Sequence, residues 1–322
     1  MTVKQITRLL AAGGTFAISQ AAPLLRAALP PMPPIEHVPT GRTLDLPGRG
    51  QVYVVDVPGP TPYAPTVVLL HGLAATASLC WAPTLAPLSR VARVITFDQR
   101  WHGRGIHSPH FTLEDCADDA VAILDALDIP DAIIAGYSLG GAVAQTVWWR
   151  HPERVSGLVL CSTARNSQGN AGERIFFPVM NALARSMRPH AHSRLADRAA
   201  TMPEPTRFDP SDVDAWGIAE LRTMSPWAIP LAMNAFGHFN SAPWIGRVDV
   251  PTAVVVTETD RAIPARRQLK LAAAIPGAQV HRAPGGHTSL MFDVERWLPV
   301  FLGAVADIAD RSEPALLSVR TR

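Results

Sequence analysis

A single serine lies between glycines in the stretch GYSLGG, residues 136–141. The stretch follows the apolar run DAIIA and precedes AVAQTVWW, so we predict a strand that turns directly into a helix at Ser138. The glycines two residues before and after the serine keep side chains from colliding across such a tight, strained turn. The turn pushes the hydroxyl of Ser138 out above the end of the strand, where it can act as a nucleophile.

A serine hydroxyl is a weak nucleophile at neutral pH, so it needs a histidine base, and the histidine needs an acid to orient it. His287, in PGGHTSL, follows the last predicted strand, and Asp260, in TETDRAIP, follows the strand before it. Both residues are expected at the same edge of a parallel sheet as Ser138. The chain order Ser138, Asp260, His287 also fits a catalytic triad.

Two backbone N–H groups are candidates for holding the negative charge of an oxyanion. Leu139 begins the helix after the serine, and Leu73 lies in the loop HGLA after the strand at 66–70. Both loops are expected at the same edge of the sheet, so we predict that these two N–H groups point at one oxyanion. His71, in the same loop, is interpreted as organising the loop rather than as a catalytic group.

Two further aspartates, Asp249 and Asp98, are alternative candidates for the acid. Asp249 precedes its predicted strand and therefore lies at the wrong end of the sheet. Asp98 ends a strand but precedes Ser138 in the chain, and we expect it to hold its own loop by hydrogen bonds.

The elements that must position these residues alternate along the chain. From about residue 42, short apolar strands alternate with helical patterns, which predicts an α/β fold with a doubly wound, mostly parallel sheet. TLDLP and QVYVVDV are predicted to form an opening antiparallel pair. The remaining predicted strands are 66–70, 91–97, 131–136, 155–163, 252–258 and 278–284. Thr112 and Asp115 are predicted to cap a helix that starts at FTLEDC.

The alternation breaks between residues 164 and 247, where aromatic residues and methionines are interrupted by prolines. We interpret this stretch as a helical cap inserted between two parts of the core, 41–163 and 248–322. The candidates for substrate contact in the cap are Phe176, Met180, Trp227 and Met233. Packing within the cap's own core is the alternative role for such apolar residues.

The first 40 residues are interpreted as an apolar segment followed by a proline-rich connector, PPMPP at 30–34. Residues 1–29 begin with Lys4 and Arg8 ahead of a short apolar run. The run resembles a weak signal peptide, but its length and its two glycines favour an amphipathic helix that caps the fold or touches a membrane surface. The expected location is cytoplasmic, with membrane association or export through this segment as alternatives.

The charge and the cysteine spacing argue against some classes of binding partner. A formal net charge of +2, with 17% charged residues, gives no basic excess for binding nucleic acid. Cys80, Cys116 and Cys161 lie far apart without metal-ligand spacing, so they are predicted to be buried free thiols, and no metal site is predicted. No pattern indicates an oligomeric state.

The sequence resembles the α/β-hydrolase fold superfamily, in its serine esterase and lipase-like branch. Six motifs carry the resemblance: HGLAATASLCW, FDQRWHGRG, GYSLGG, HPERVSGLVL, TETDRAIP and GGH. The resemblance runs from about residue 50 to 303. It implies Ser138, Asp260 and His287 as the triad, and the amides of Leu73 and Leu139 as the oxyanion hole. Three positions depart from the family pattern: Trp101 replaces a glycine, Gly105 replaces a serine, and Thr257 replaces a glycine that often precedes the acid.

The expected activity is hydrolysis of a small apolar ester, thioester or other acyl substrate, without a metal or organic cofactor. A C–C bond hydrolase would use the same triad. An acyltransferase is a second alternative, because HFTLED places His110 and Asp115 in an H-x4-D pattern. A ligand receptor that does not turn its ligand over is the third. Serine at position 138 argues against the epoxide and dehalogenation chemistry of relatives that use aspartate.

Overall fold

The computed structural model describes residues 30–108, 111–167, 177–179, 182, 203–225 and 228–319. Eight strands of these residues form one sheet. They are β1 Arg42–Leu46, β2 Gly50–Val57, β3 Thr66–Leu70, β4 Arg93–Phe97, β5 Ala132–Tyr137, β6 Val155–Cys161, β7 Thr252–Thr257 and β8 Gln279–Ala283.

The sheet has the order β1-β2-β4-β3-β5-β6-β7-β8. β2 is antiparallel to both β1 and β4, and the six strands from β3 to β8 are parallel. The mostly parallel sheet, the opening antiparallel pair and the central position of β3 are therefore as predicted. The strand predicted over 155–163 ends two residues earlier, at Cys161, because Ser162 turns into the left-handed backbone region with φ of 48°.

Helices cover both faces of the sheet. The described helices are α1 Ala77–Ser89, α2 Leu113–Ala126, α3 Leu139–Arg150, α4 Val213–Arg222, α5 Ala228–His238, α6 Ala265–Ala272, α7 Ser289–Phe292 and α8 Val294–Val319. Thr112 caps α2 as predicted, since its hydroxyl accepts the backbone N–H of Asp115 at 2.9 Å. The side chains of the two residues are also hydrogen-bonded to each other, because the same hydroxyl donates to the carboxylate of Asp115.

The apolar core is divided by the sheet into two layers. In one layer α1 and α8 pack on the sheet. The ring centroids of Trp81, Trp297 and Phe301 lie 4.9–6.3 Å from one another in this layer. In the other layer α2, α3 and α6 bury their apolar sides. Because both faces are covered, the carboxyl edge of the parallel strands is a rigid base for the loops that follow them. The three cysteines are buried free thiols within this core.

The predicted insertion at 164–247 contributes α4 and α5, and its described residues add no strand to the sheet. The boundaries of the four regions stay a prediction. Residues 30–38, which we call the strap, do more than connect. Ile35 and Val38 are buried in a small cluster with Leu79 of α1 and Trp216 of α4. The strap is thereby fixed against both helices ahead of β1.

Candidate active site

Ser138 lies at the sharp turn between β5 and α3, as predicted. Its backbone has φ of 54° and ψ of −114°, a conformation that residues other than glycine rarely adopt. The flanking glycines are required by contact: a Cβ on Gly136 would collide with the carbonyl of Gly140, and one on Gly140 would collide with the carbonyl of Leu70. The backbone N–H of Ser138 donates to the Cys161 carbonyl at 2.9 Å, which ties the strained turn to the neighbouring strand.

The structure brings the three predicted residues into one hydrogen-bonded row. His287 Nε2 lies 2.9 Å from Ser138 Oγ, and His287 Nδ1 lies 2.7 Å from Asp260 Oδ2. An ionised carboxylate can only accept hydrogen bonds, so Nδ1 carries the proton and Nε2 is the acceptor for the serine hydroxyl. This is the tautomer in which histidine can remove the proton of Ser138.

The Asp260 carboxylate is held by four donors besides His287, and its side chain is 0% exposed. Oδ1 accepts the backbone N–H groups of Ala262 and Ile263, both at 2.8 Å. Oδ2 accepts the hydroxyl of Thr257 at 3.0 Å and the amide of Gln268 at 3.2 Å. Thr257, which departs from the family's glycine, therefore supports the acid. Gln268 was not found by sequence reasoning, because it is brought to the acid by the packing of α6.

Tyr137 is a second residue that the sequence analysis missed. Its hydroxyl donates to the backbone carbonyl of His287, and its ring lies 5.3 Å from the imidazole between centroids. This contact ties the loop of the base to the strand of the serine. Its only signal in the sequence is its position directly before Ser138.

The loop after β3 is organised by His71, as interpreted. His71 is buried, donates from Nδ1 to the Gly72 carbonyl at 2.7 Å and accepts the Gln99 backbone N–H at Nε2 at 2.9 Å. Burial, with His102 nearby, lowers the pKa of His71 to about 3. The imidazole is therefore neutral at pH 7, and its two hydrogen bonds fix the start of the loop.

Leu73 and Leu139 both line the cavity beside Ser138. As the first residue of α3, Leu139 has no partner for its N–H within the helix, and the positive end of the helix dipole lies there. Ala74, directly after Leu73, has φ of 58°, so the loop bends sharply at this point.

Asp98 holds its own loop, as predicted. Its carboxylate accepts the backbone N–H of Ala77 at 2.7 Å and that of Arg104 at 2.8 Å. Burial, and then the nearby Glu220 carboxylate, raise the pKa of Asp98 to about 6.

A buried ion pair connects this region to the predicted insertion. Arg104 Nη2 lies 2.9 Å from Glu220 Oε1 on α4, and the hydroxyl of Thr76 donates to Glu220 Oε2 at 2.6 Å. Both charged side chains are almost fully buried. Since Thr76 ends the loop of Leu73 and caps α1, Glu220 ties α4 to that loop. The link joins residues far apart in sequence, which is why no local pattern indicates it.

A cavity of about 690 Å³ opens beside Ser138 and His287. Its lining is mostly apolar. Of the predicted contact residues Met233 lies in this lining, whereas Phe176, Met180 and Trp227 fall outside the described residues. Further apolar contributions that the sequence analysis did not identify are Met32, Phe177, Ile218, Leu221, Phe236 and Met291. Met32 belongs to the strap, so a segment ahead of the sheet forms part of the cavity wall.

The other candidates lie away from this row. Asp249 accepts the indole N–H of Trp148 at 3.2 Å. Asp115 is engaged in the cap of α2, and His110 falls outside the described residues. Trp101 keeps a glycine-like backbone, with φ of 63°, while its indole donates to the Ser108 carbonyl. Among the described residues, no group of three or more His, Cys, Asp or Glu side chains is placed to hold a metal ion.

The sequence of the chain matches a known family over most of the sheet. A family model described as the α/β-hydrolase fold matches residues 65–294. The chain belongs to the α/β-hydrolase fold family.

Individual relatives of this hydrolase have different names. It is 28% identical over 222 residues to RutD of Agrobacterium fabrum, which is named as a candidate carbamate hydrolase, with 67% of this chain and 83% of that protein covered. It is 26% identical over 248 residues to a poly(3-hydroxyalkanoate) depolymerase of Ectopseudomonas oleovorans, covering 75% and 84%. The structure of an enol-lactonase from Burkholderia xenovorans superposes with a TM-score of 0.63 at 24% identity, over 83% of this chain and 99% of that one. These proteins share the fold, whereas their names refer to different reactions.

The buried histidines predict an acid-sensitive fold. Burial lowers the pKa of His102 to about 4, as it lowers that of His71. The pKa of each histidine is below the ordinary value near 6.5, so in this range the unfolded chain binds protons that the native state does not bind. The free energy of unfolding therefore decreases as pH falls below about 6.5. The raised pKa of Asp98 acts in the opposite direction between about pH 6 and 4, because there the native state binds the proton more tightly.

Urea denaturation of the wild type and His102→Asn between pH 7 and 4.5 isolates one of these groups. Asparagine keeps a donor for the Arg100 carbonyl, which lies 2.8 Å from His102 Nδ1, but does not titrate. As pH falls, the free energy of unfolding of the variant should decrease less steeply than that of the wild type. The two slopes should differ by about 1.4 kcal/mol per pH unit. His238→Asn, at an exposed position, is the control. Parallel pH profiles for the wild type and His102→Asn would contradict the assignment.

Proposed function

We propose that this chain is a serine hydrolase that cleaves carboxylic esters through Ser138, His287 and Asp260. The observation that carries the proposal is the hydrogen-bonded row from Ser138 Oγ through His287 to the fully buried Asp260, beside an apolar cavity. Membership of the α/β-hydrolase fold family supports it, because the row lies at the edge of the sheet where that family resemblance predicts it.

The proposed reaction proceeds through an acyl-enzyme. His287 Nε2 takes the proton of Ser138 as Oγ attacks the ester carbonyl, and the backbone N–H groups of Leu73 and Leu139 stabilise the oxyanion. The tetrahedral intermediate collapses, the alcohol leaves with the proton from His287, and the acyl group remains on Ser138. His287 then activates a water molecule that hydrolyses the acyl-enzyme. Asp260 holds the imidazole in its reactive tautomer throughout.

The cavity supports an apolar substrate. Flexible methionines and aromatic rings surround Ser138, and such surfaces suit an acyl chain of adaptable shape. The name of the depolymerase relative, which refers to a polyester, agrees with an ester substrate. The name of RutD refers to a carbamate, which the same nucleophile could attack, and none of the described residues that line the cavity favours a carbamate over an ester.

Hydrolysis of p-nitrophenyl esters from acetate to palmitate tests the proposal. The wild type should hydrolyse them with a maximum at one acyl length, and Ser138→Ala should lower kcat by roughly 10⁴-fold or more, because no other group replaces the nucleophile. Ser89→Ala, at the end of α1 and at the opposite edge of the sheet, is the matched control and keeps wild-type rates. Absence of turnover of every ester by the wild type would refute ester hydrolysis and leave C–C cleavage, acyl transfer or ligand sensing.

The link from Glu220 to the loop of Leu73 predicts a second effect. Thr76→Val removes the hydroxyl that donates to Glu220 and caps α1, and it should lower stability by about 1–2 kcal/mol. A displaced Leu73 N–H should also lower kcat for ester hydrolysis by about tenfold. Thr76→Ser keeps the hydroxyl and should restore both. A Thr76→Val enzyme that is less stable but retains the wild-type kcat would show that the link supports the fold alone.

A further inference from the structure

One part of the cavity wall is formed by the strap together with two helices. Met32 of the strap, Leu79 of α1 and Gly217 of α4 all line the cavity, and we call the space between them the crevice. The strap is fixed at this place, because the backbone N–H of Met32 donates to Asp214 Oδ1 on α4 at 2.9 Å. The following residues of the strap are anchored in the buried cluster that contains Trp216. The crevice therefore has walls that are held by the fold.

Gly217 lies inside α4, where glycine is a less favourable residue than alanine. A Cβ at this position would lie 3.5 Å from Leu79 Cδ1 and 3.8 Å from Met32 Cγ, which are ordinary van der Waals distances. Gly136 and Gly140 differ from it, because a Cβ on either would collide with a backbone carbonyl. The packing of α4 therefore does not require glycine at position 217. The absence of a side chain there leaves space in the crevice.

The two sides of the cavity also differ in polarity. In the order of the strands, β3 lies on one side of β5 and β7 on the other. The crevice belongs to the β3 side, because α1 follows β3, whereas α6 follows β7 and contributes Arg267 to the lining. An alkyl chain gains free energy by burial against apolar groups, and this favours the crevice over the side with the guanidinium. The Asp214 carboxylate beside the crevice disfavours a chain that ends in a negative charge.

We propose that the acyl chain of the substrate ends in the crevice, so that the strap closes the acyl side of the cavity and Gly217 limits the length of the chain. This inference rests on the ester hydrolysis proposed above, and it names the substrate class as esters of unbranched acids with an uncharged alkyl end. The observation that carries it is a helix-interior glycine that packing does not require, located where the strap meets the cavity. Gly217 is thus a residue that determines specificity.

Two series of esters test the inference. In p-nitrophenyl esters the acyl chain is lengthened, and in alkyl acetates the alcohol is lengthened, with the released acid titrated at constant pH. For the wild type, kcat/KM in the acyl series should rise about fourfold with each methylene until the chain fills the crevice. Gly217→Leu should move the maximum to a chain shorter by roughly three carbons, because the leucine side chain occupies the crevice. In the alkyl acetate series the variant should keep the length profile of the wild type.

Two further variants separate the crevice from an effect on folding. Met32→Ala removes part of the wall and should move the maximum of the acyl series to a chain longer by roughly two carbons. Gly217→Ala should shorten the preferred chain by about one carbon and, because alanine favours the helix, raise Tm by about 2 °C. Damage to the fold would lower Tm and would reduce the rates for every chain length alike.

Ala215→Leu is the matched control. Ala215 lies on the same helix two residues before Gly217, but its side chain is exposed and does not line the cavity. The substitution enlarges a residue of α4 without filling the crevice. It should therefore keep the wild-type length profile in both series.

The outcomes distinguish this inference from the function on which it rests. Ester hydrolysis with one acyl-length profile in the wild type, Gly217→Leu and Met32→Ala would overturn the crevice and leave ester hydrolysis standing. A changed profile for the alkyl acetates in place of the acyl series would also overturn it, because the alcohol would then occupy the crevice. An equal shift in Ala215→Leu and Gly217→Leu would contradict the role of Gly217. Failure of the wild type to hydrolyse any ester would refute ester hydrolysis and this inference with it.

Discussion

The strained backbone of Ser138 is the constraint on which the rest of the site depends. A left-handed φ at a residue with a side chain is unfavourable by about 1–3 kcal/mol and persists only where the surroundings enforce it. Here Ser138 alone separates the end of β5 from the start of α3, two glycines allow the backbones to approach, and a hydrogen bond to β6 closes the turn. The parallel sheet, buried on both faces, supplies the rigidity. Without this support the hydroxyl would not reach His287.

Much of this arrangement could be predicted from the sequence because it depends on local patterns. Continuous apolar runs mark strands that are buried on both faces, and the carboxyl ends of parallel strands share one edge, so Ser138, Asp260 and His287 could be placed together. The same logic separates Asp249 from the acid, because Asp249 precedes its strand, whereas Asp98 is set apart by its position before Ser138 in the chain. The placement of the triad residues follows from which end of a strand each occupies, and it needs no knowledge of side-chain packing.

The parts that could not be predicted depend on contacts between distant segments. Gln268 reaches Asp260 only because α6 packs beside β7, and Glu220 meets Thr76 across 144 residues. The strap resembles a plain connector in sequence, since prolines and one methionine carry no periodicity, yet it forms part of the cavity wall. Thr257 appeared as a departure from a family pattern, and the structure gives it a hydrogen bond to the acid. A substitution relative to a pattern can thus replace one support with another.

The central claim is that Ser138 is a nucleophile activated by His287. Covalent labelling with a fluorophosphonate, followed by peptide mass spectrometry, tests it without knowledge of the natural substrate. We expect one adduct per chain, located on Ser138, and loss of labelling in His287→Ala although that variant remains folded, because the weak serine hydroxyl then has no base. No adduct on the wild type, an adduct on another serine, or undiminished labelling of His287→Ala would contradict the account.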